Sequence, residues 1–95
     1  MSDREYIELC KRLISDRYMI GAGDHWRQRD FETLIRVVQE KSGISLSLST
    51  IKRIWKNDFD KIPHPTTLDA LVSVLDYGNW FDFKKSENQE RKGRT

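Results

Sequence analysis

Six residues within ten positions carry the most specific chemistry of this chain: Ser47, Ser49, Thr50, Lys52, Arg53 and Lys56. A helix with Ser47 as N-cap, running to about Asn57, turns Ile51, Ile54 and Trp55 to one side. Ser49, Lys52, Arg53 and Lys56 then share the other, because successive residues are 100° apart. Hydroxyls and free backbone N–H groups at a helix start bind phosphate oxygens. A guanidinium reads guanine O6 and N7 through paired hydrogen bonds. The spacing therefore fits contact with double-stranded DNA. Arg53 is placed for bidentate reading of guanine, Lys52 for guanine or phosphate, and Ser49 for a base edge. Leu48, at the tip, is set either against a thymine methyl or as a buried staple. Ser47, Thr50 and Lys56 fall to phosphates, together with Lys41, Arg36 and Lys61. Two cations on a solvated helix face are ordinary in themselves; the elements around them are what sets these apart.

Those elements are helical. Ser2 and Glu5 fit a capping box, followed by Ile7, Cys10, Leu13 and Ile14 at helical spacing. Gly21-Ala22-Gly23 breaks that run, and Asp24 to Arg29 reads as a connector ordered by an inward Trp26. Asp30 is the expected N-cap of a second helix with Phe31, Leu34, Ile35 and Val38 on its inner face. Ser42-Gly43 stops it, glycine suiting the left-handed position after a helix. Ile44 and Leu46 anchor a turn into the third helix. Asp58 to Pro65 is a loop, since both prolines disfavour helix at the residue before them. Thr66 or Thr67 is expected to cap a fourth helix bearing Leu68, Leu71, Val72 and Leu75, ending at Tyr77-Gly78. Asn79 caps a short last turn with Trp80, Phe81 and Phe83. The fold class is all-α: a small bundle of about five helices containing a helix-turn-helix. Residues 1–83 form the domain, and 84–95, charged and without apolar period, are expected to be a mobile tail or a truncated linker.

Bulk properties set limits. Ninety-five residues suit one domain. Net charge is only +2, yet the excess lies in 31–65, where Arg36, Lys41, Lys52, Arg53, Lys56 and Lys61 outnumber Glu32, Glu40, Asp58 and Asp60. With no long apolar run and no signal-like start, neither a membrane span nor export is expected. One cysteine, Cys10, has no internal partner, which points to the reducing cytoplasm. Cys10, His25 and His64 lack the clustered spacing of a metal site, and no third group orients a cysteine–histidine pair for catalysis. Gly21-Ala22-Gly23 lacks the Gly-Lys-Ser/Thr of a phosphate loop. No catalytic residue, cofactor, metal or small-molecule site is expected, and the chain does not read as an enzyme. Trp26, Trp55, Trp80, Phe81 and Phe83 are assigned to the core, joining the helices around one centre.

Ser47-Leu48-Ser49-Thr50-Ile51-Lys52-Arg53-Ile54 resembles the recognition helix of phage-repressor-type helix-turn-helix domains, and Pro65…Thr67-Leu68-Asp69-Ala70-Leu71 resembles their fourth helix. Nearly the whole chain is similar to uncharacterised Bacteroidetes domains presumed to bind DNA. That resemblance rests on Trp26…Arg29-Asp30-Phe31…Leu34, Leu46-Ser47…Ser49 to Trp55, Pro65 to Leu71, and Tyr77…Trp80…Asp82-Phe83. It implies a DNA-binding module, a transcriptional regulator or the N-terminal part of one. The chain departs from the repressor pattern in three places. The turn Gly43 to Ser47 is two residues longer, Leu48 replaces a polar base-reader, and Asp76 stands where glycine is usual after the fourth helix. A single helix with two or three base contacts is weakly specific, so a homodimer or a further domain after Thr95 is expected. The alternative is a protein-interaction module of the same fold that has lost DNA binding, a reading favoured by the near-neutral charge, the long turn and Leu48.

Overall fold

Five helices follow one another, with no strand among the described residues: α1 (Asp3–Arg17), α2 (Gln28–Ser42), α3 (Leu48–Trp55), α4 (Pro65–Ser73) and α5 (Trp80–Gly93). The computed structural model of the chain describes residues 2–18 and 26–93. The glycine break at Gly21-Ala22-Gly23 and the connector residues Asp24 and His25 lie outside them. The all-α bundle is the architecture that the apolar periodicity predicts.

The helix ends show how local chemistry draws the boundaries. The Ser2 hydroxyl accepts the Glu5 N–H at 3.3 Å and starts α1. Asp30 is not the N-cap of α2, as expected, but its third residue. Its carboxylate accepts the Arg27 N–H at 2.8 Å, so Arg27 caps the helix and Asp30 satisfies it from inside the first turn. Gly43 adopts φ 76° and closes α2, its N–H donating to the Gln39 carbonyl at 2.9 Å. In α4 the cap is neither Thr66 nor Thr67. His64 Nδ1 accepts the Thr66 N–H at 3.1 Å, and Pro65 takes the first helical position, where its missing N–H costs nothing. α4 ends at Ser73, earlier than Tyr77-Gly78 suggests, and Asp76 turns the chain with φ 68°.

Asn79 caps α5 as expected, its Oδ1 accepting the Asp82 N–H at 2.8 Å. The helix then continues to Gly93 instead of stopping after one turn. Tertiary ties accompany the stretch expected to start a tail: Lys84 pairs with Asp3 of α1 at 3.0 Å, and the Tyr77 hydroxyl lies 3.3 Å from that of Ser86. Such ties are invisible to a reading based on apolar period.

Burial explains the layering. α2 turns Phe31, Leu34 and Val38 inward and lies against both α3 and α4; α5 lies against α4. Ile51, Ile54 and Trp55 are the buried face of α3, and Phe83 is fully enclosed. The rings form two groups around the core. Trp26, Phe31 and Trp55 meet at centroid distances of 4.8 to 6.2 Å, while Tyr6, Tyr77 and Trp80 surround Phe83. Phe81, assigned to the core from sequence, is 68% exposed. One residue on from Trp80 is 100° around the helix, and the inward direction already belongs to Trp80 and Phe83. Burial pushes the Cys10 thiol up to about 12, so it remains protonated in the core.

Ile51, with no exposed surface, locks α3 to the bundle. Ile51→Ala is expected to lower unfolding free energy by about 2–5 kcal/mol, read from the midpoint of a urea titration followed by circular dichroism.

Candidate nucleic-acid interface

α3 is eight residues long and is shaped at both ends by side chains. At its start the Ser47 hydroxyl accepts the Thr50 N–H at 3.2 Å and donates to Thr50 Oγ1 at 2.8 Å. This is the cap that the sequence predicts. It commits the Ser47 hydroxyl and pairs it with that of Thr50. The N–H groups of Leu48 and Ser49 have no acceptor within the helix, as at any helix start.

The turn before α3 is anchored rather than loose. Ser42 donates its hydroxyl to the Val38 carbonyl at 2.7 Å and accepts the Ile44 N–H at 3.1 Å. Leu46 is buried and Ile44 half-buried, as their spacing suggests. Leu48 is half-buried against the same core. Of the two roles expected for it, that packing supports the staple.

Ser49, Arg53 and Lys56 are exposed on the side of α3 opposite Ile51 and Ile54, and Lys52 is half-exposed at the flank. Lys52, Arg53 and Lys56 have no carboxylate partner among the described residues. Their charge is therefore available to an external anion. Arg36 on α2 and Lys61 in the following loop are also exposed.

Lys41 is different. Its ammonium pairs with Asp76 at 2.7 Å, and Arg17 pairs with the same carboxylate at 3.0 Å. The residue expected to bind phosphate thus closes α2 onto the end of α4. Asp76 itself has a left-handed φ of 68°, a conformation that glycine adopts at no steric cost. Here two cations hold an aspartate in the same conformation. Arg17 additionally donates to the Val74 carbonyl.

The far end of α3 is held from α1 by residues that sequence reasoning passed over. Lys11 donates to the carbonyls of Ile54 at 3.1 Å and Trp55 at 3.4 Å, and to Asn57 Oδ1 at 2.9 Å. Arg4 donates to the carbonyls of Phe59 and Asp60, each at 2.9 Å, with its guanidinium 4.6 Å above the Phe59 ring. One signal was present in the sequence. Lys11 lies four residues after Ile7 and three before Ile14, on the inner stripe of its helix.

No protein-family model matches the chain, nor does a curated protein or a solved structure. Among the described residues no helix is long and apolar enough to cross a membrane, and no three His, Cys, Asp or Glu residues cluster to hold a metal.

The Asp76 carboxyl is held below the usual carboxylate range by hydrogen bonds from Lys41 and Arg17. A folded-state pKa below the unfolded one means stabilisation that is present above the unfolded value. It is lost as pH falls through the folded one. Asp76→Asn retains a residue tolerant of left-handed φ. It should melt below wild type near pH 7, and the gap should close in strong acid and narrow in high salt. Thermal melts across pH and salt check this.

Proposed function

We propose that this chain is a DNA-binding module of helix-turn-helix type, with α3 entering the major groove. The observation that carries the reading is the outer face of Ser49, Lys52, Arg53 and Lys56, three of them exposed and Lys52 half-exposed, whose cations have no carboxylate partner among the described residues, directly behind a buried stripe that fixes its direction. Arg53, exposed on the outer side of α3, reads guanine. Lys52 and Ser49 flank it, and Thr50 and Lys56 meet the phosphates at either end, with Arg36 and Lys61 contributing longer-range attraction. Membership among phage-repressor-like regulators belongs to the same proposal and rests on the residues of α3 and α4 quoted above. So does pairing with a second copy or a further domain, because one two-turn helix reads few bases.

The rival role, a protein-docking surface, needs an apolar patch around Leu46 and Leu48. Leu46 is buried, Leu48 is half-buried, and the exposed large hydrophobic residue among those described is Phe81 on α5. That distribution favours the groove.

A fluorescence-anisotropy titration with a labelled mixed-sequence duplex tests the reading. Wild type should bind with an affinity that falls steeply with salt, each phosphate contact contributing about 0.9 to the log–log slope. Lys52→Ala/Arg53→Ala should bind more weakly with a shallower slope, while circular dichroism shows it still folded. Folded wild type that ignores the duplex at low salt overturns the proposal.

A further inference from the structure

We infer that Lys11 is a positioning residue for α3, the side chain that fixes the C-terminal turn on which Lys52, Arg53 and Lys56 are carried. This inference rests on the DNA reading only where it concerns affinity; the cap itself stands on geometry.

A lysine is seldom buried unless its charge is answered. Lys11 is 7% exposed. Four oxygens surround its ammonium: the Ile54 and Trp55 carbonyls, Asn57 Oδ1, and Glu8 Oε1 at 2.7 Å. An ammonium has three donors, so four acceptors fill its capacity only with one N–H shared, and the successive carbonyls of Ile54 and Trp55 are the pair placed to share it. The Glu8 carboxylate offsets the charge from the same helix. The other three acceptors all belong to the end of α3.

That end has a shortage that Lys11 makes good. The last carbonyls of a helix have no N–H in the next turn to receive. The Lys52 carbonyl accepts the Lys56 N–H at 3.0 Å, the Arg53 carbonyl accepts Asp58 at 2.9 Å, and the Ile54 carbonyl accepts Asn57 at 3.2 Å. Trp55 has no backbone donor among those bonds. Lys11 supplies one and reinforces Ile54, and a cation there also opposes the negative end of the helix dipole. Asn57 completes the device. With φ 59° it takes the left-handed turn that ends the helix, and its side chain is fixed by the same ammonium. One group therefore sets both the last turn of α3 and the reversal that follows it.

The consequence follows from length. In a helix of eight residues the final turn is also the turn that bears Lys52, Arg53 and Lys56. If it frays, these side chains lose their common orientation and must be ordered on binding, which weakens affinity without removing a single phosphate contact.

Amide hydrogen exchange on the full chain, together with the duplex titration, tests this in Lys11→Met and Asn57→Gly. The methionine keeps the volume but not the charge; the glycine keeps the left-handed turn but not the acceptor. In Lys11→Met the amides of Lys56, Asn57 and Asp58 should lose protection by about tenfold or more, while those of α2 and α4 change much less. Asn57→Gly should show the same pattern, weaker. Duplex affinity, corrected for folded fraction, should fall several-fold with the salt slope unchanged. Equal loss of protection in every helix would make Lys11 a general stabiliser and overturn the inference. Unaltered protection at Lys56 to Asp58 would also overturn it. If Lys11→Met does not fold, Asn57→Gly decides between the same outcomes. Should wild type ignore DNA, the proposed function fails, while the exchange pattern still decides the cap.

Discussion

A two-turn helix does not persist alone in water. Nucleation fixes several residues before the first hydrogen bond is made, and eight residues add too few bonds afterwards to compensate. α3 therefore exists only as far as its surroundings make it. Ser47 and Thr50 tie its first turn, Ile51, Ile54 and Trp55 bury its inner face, and Lys11 receives its last carbonyls. The longer helices can be read as the frame for this short one. α2 provides the surface beneath it, α1 reaches its far end through Lys11 and the loop after it through Arg4, and α4 lies against α2 as well.

The ion pairs follow the same division. Asp76 joins Arg17 and Lys41, Asp3 joins Lys84, and Glu8 joins Lys11. These contacts link α1 to the ends of α2 and α4 and to α5, or brace α1 itself. Among the described residues the cations of α3 are left outside the network. A net charge of +2 conceals this, because it adds neutralised lysines to free ones. What an approaching polyanion meets is the local surplus, and the field of that face is set by which charges are already answered.

Much of this architecture was legible in the sequence because periodicity and glycine placement speak directly to local conformation. The inner stripes of α1, α2 and α3, the Ser47 and Asn79 caps and the left-handed Gly43 were all recoverable in that way. Asp30 misled because an acidic residue serves equally well as N-cap or inside the first turn, and only the backbone distinguishes them. Pro65 is ambiguous in sequence, since proline disfavours helix at the residue before it yet suits the first helical position, which is where it stands. α5 outran its apolar pattern, and its ties are polar and distant in sequence: Lys84 to Asp3, Tyr77 to Ser86. For the site, the outer face of α3 was legible as a pattern. Lys41 and Lys11 were not, since which oxygen a lysine finds is decided by tertiary placement. Lys41 went to Asp76, and Lys11 to the end of a helix more than forty residues along the chain.

Trp26 and Trp55 give this frame an optical signature. Their rings lie 4.8 Å apart, tilted by 43°. Two indoles that close have interacting transition dipoles, and a pair held in one fixed chiral arrangement can acquire rotational strength from that coupling. Circular dichroism in the indole bands should therefore contain an exciton contribution from this pair. Trp26 lies just before α2 and Trp55 ends α3, so that contribution reports the seating of one on the other and is distinct from helix content. The protein carries its own reporter of whether α3 sits in place.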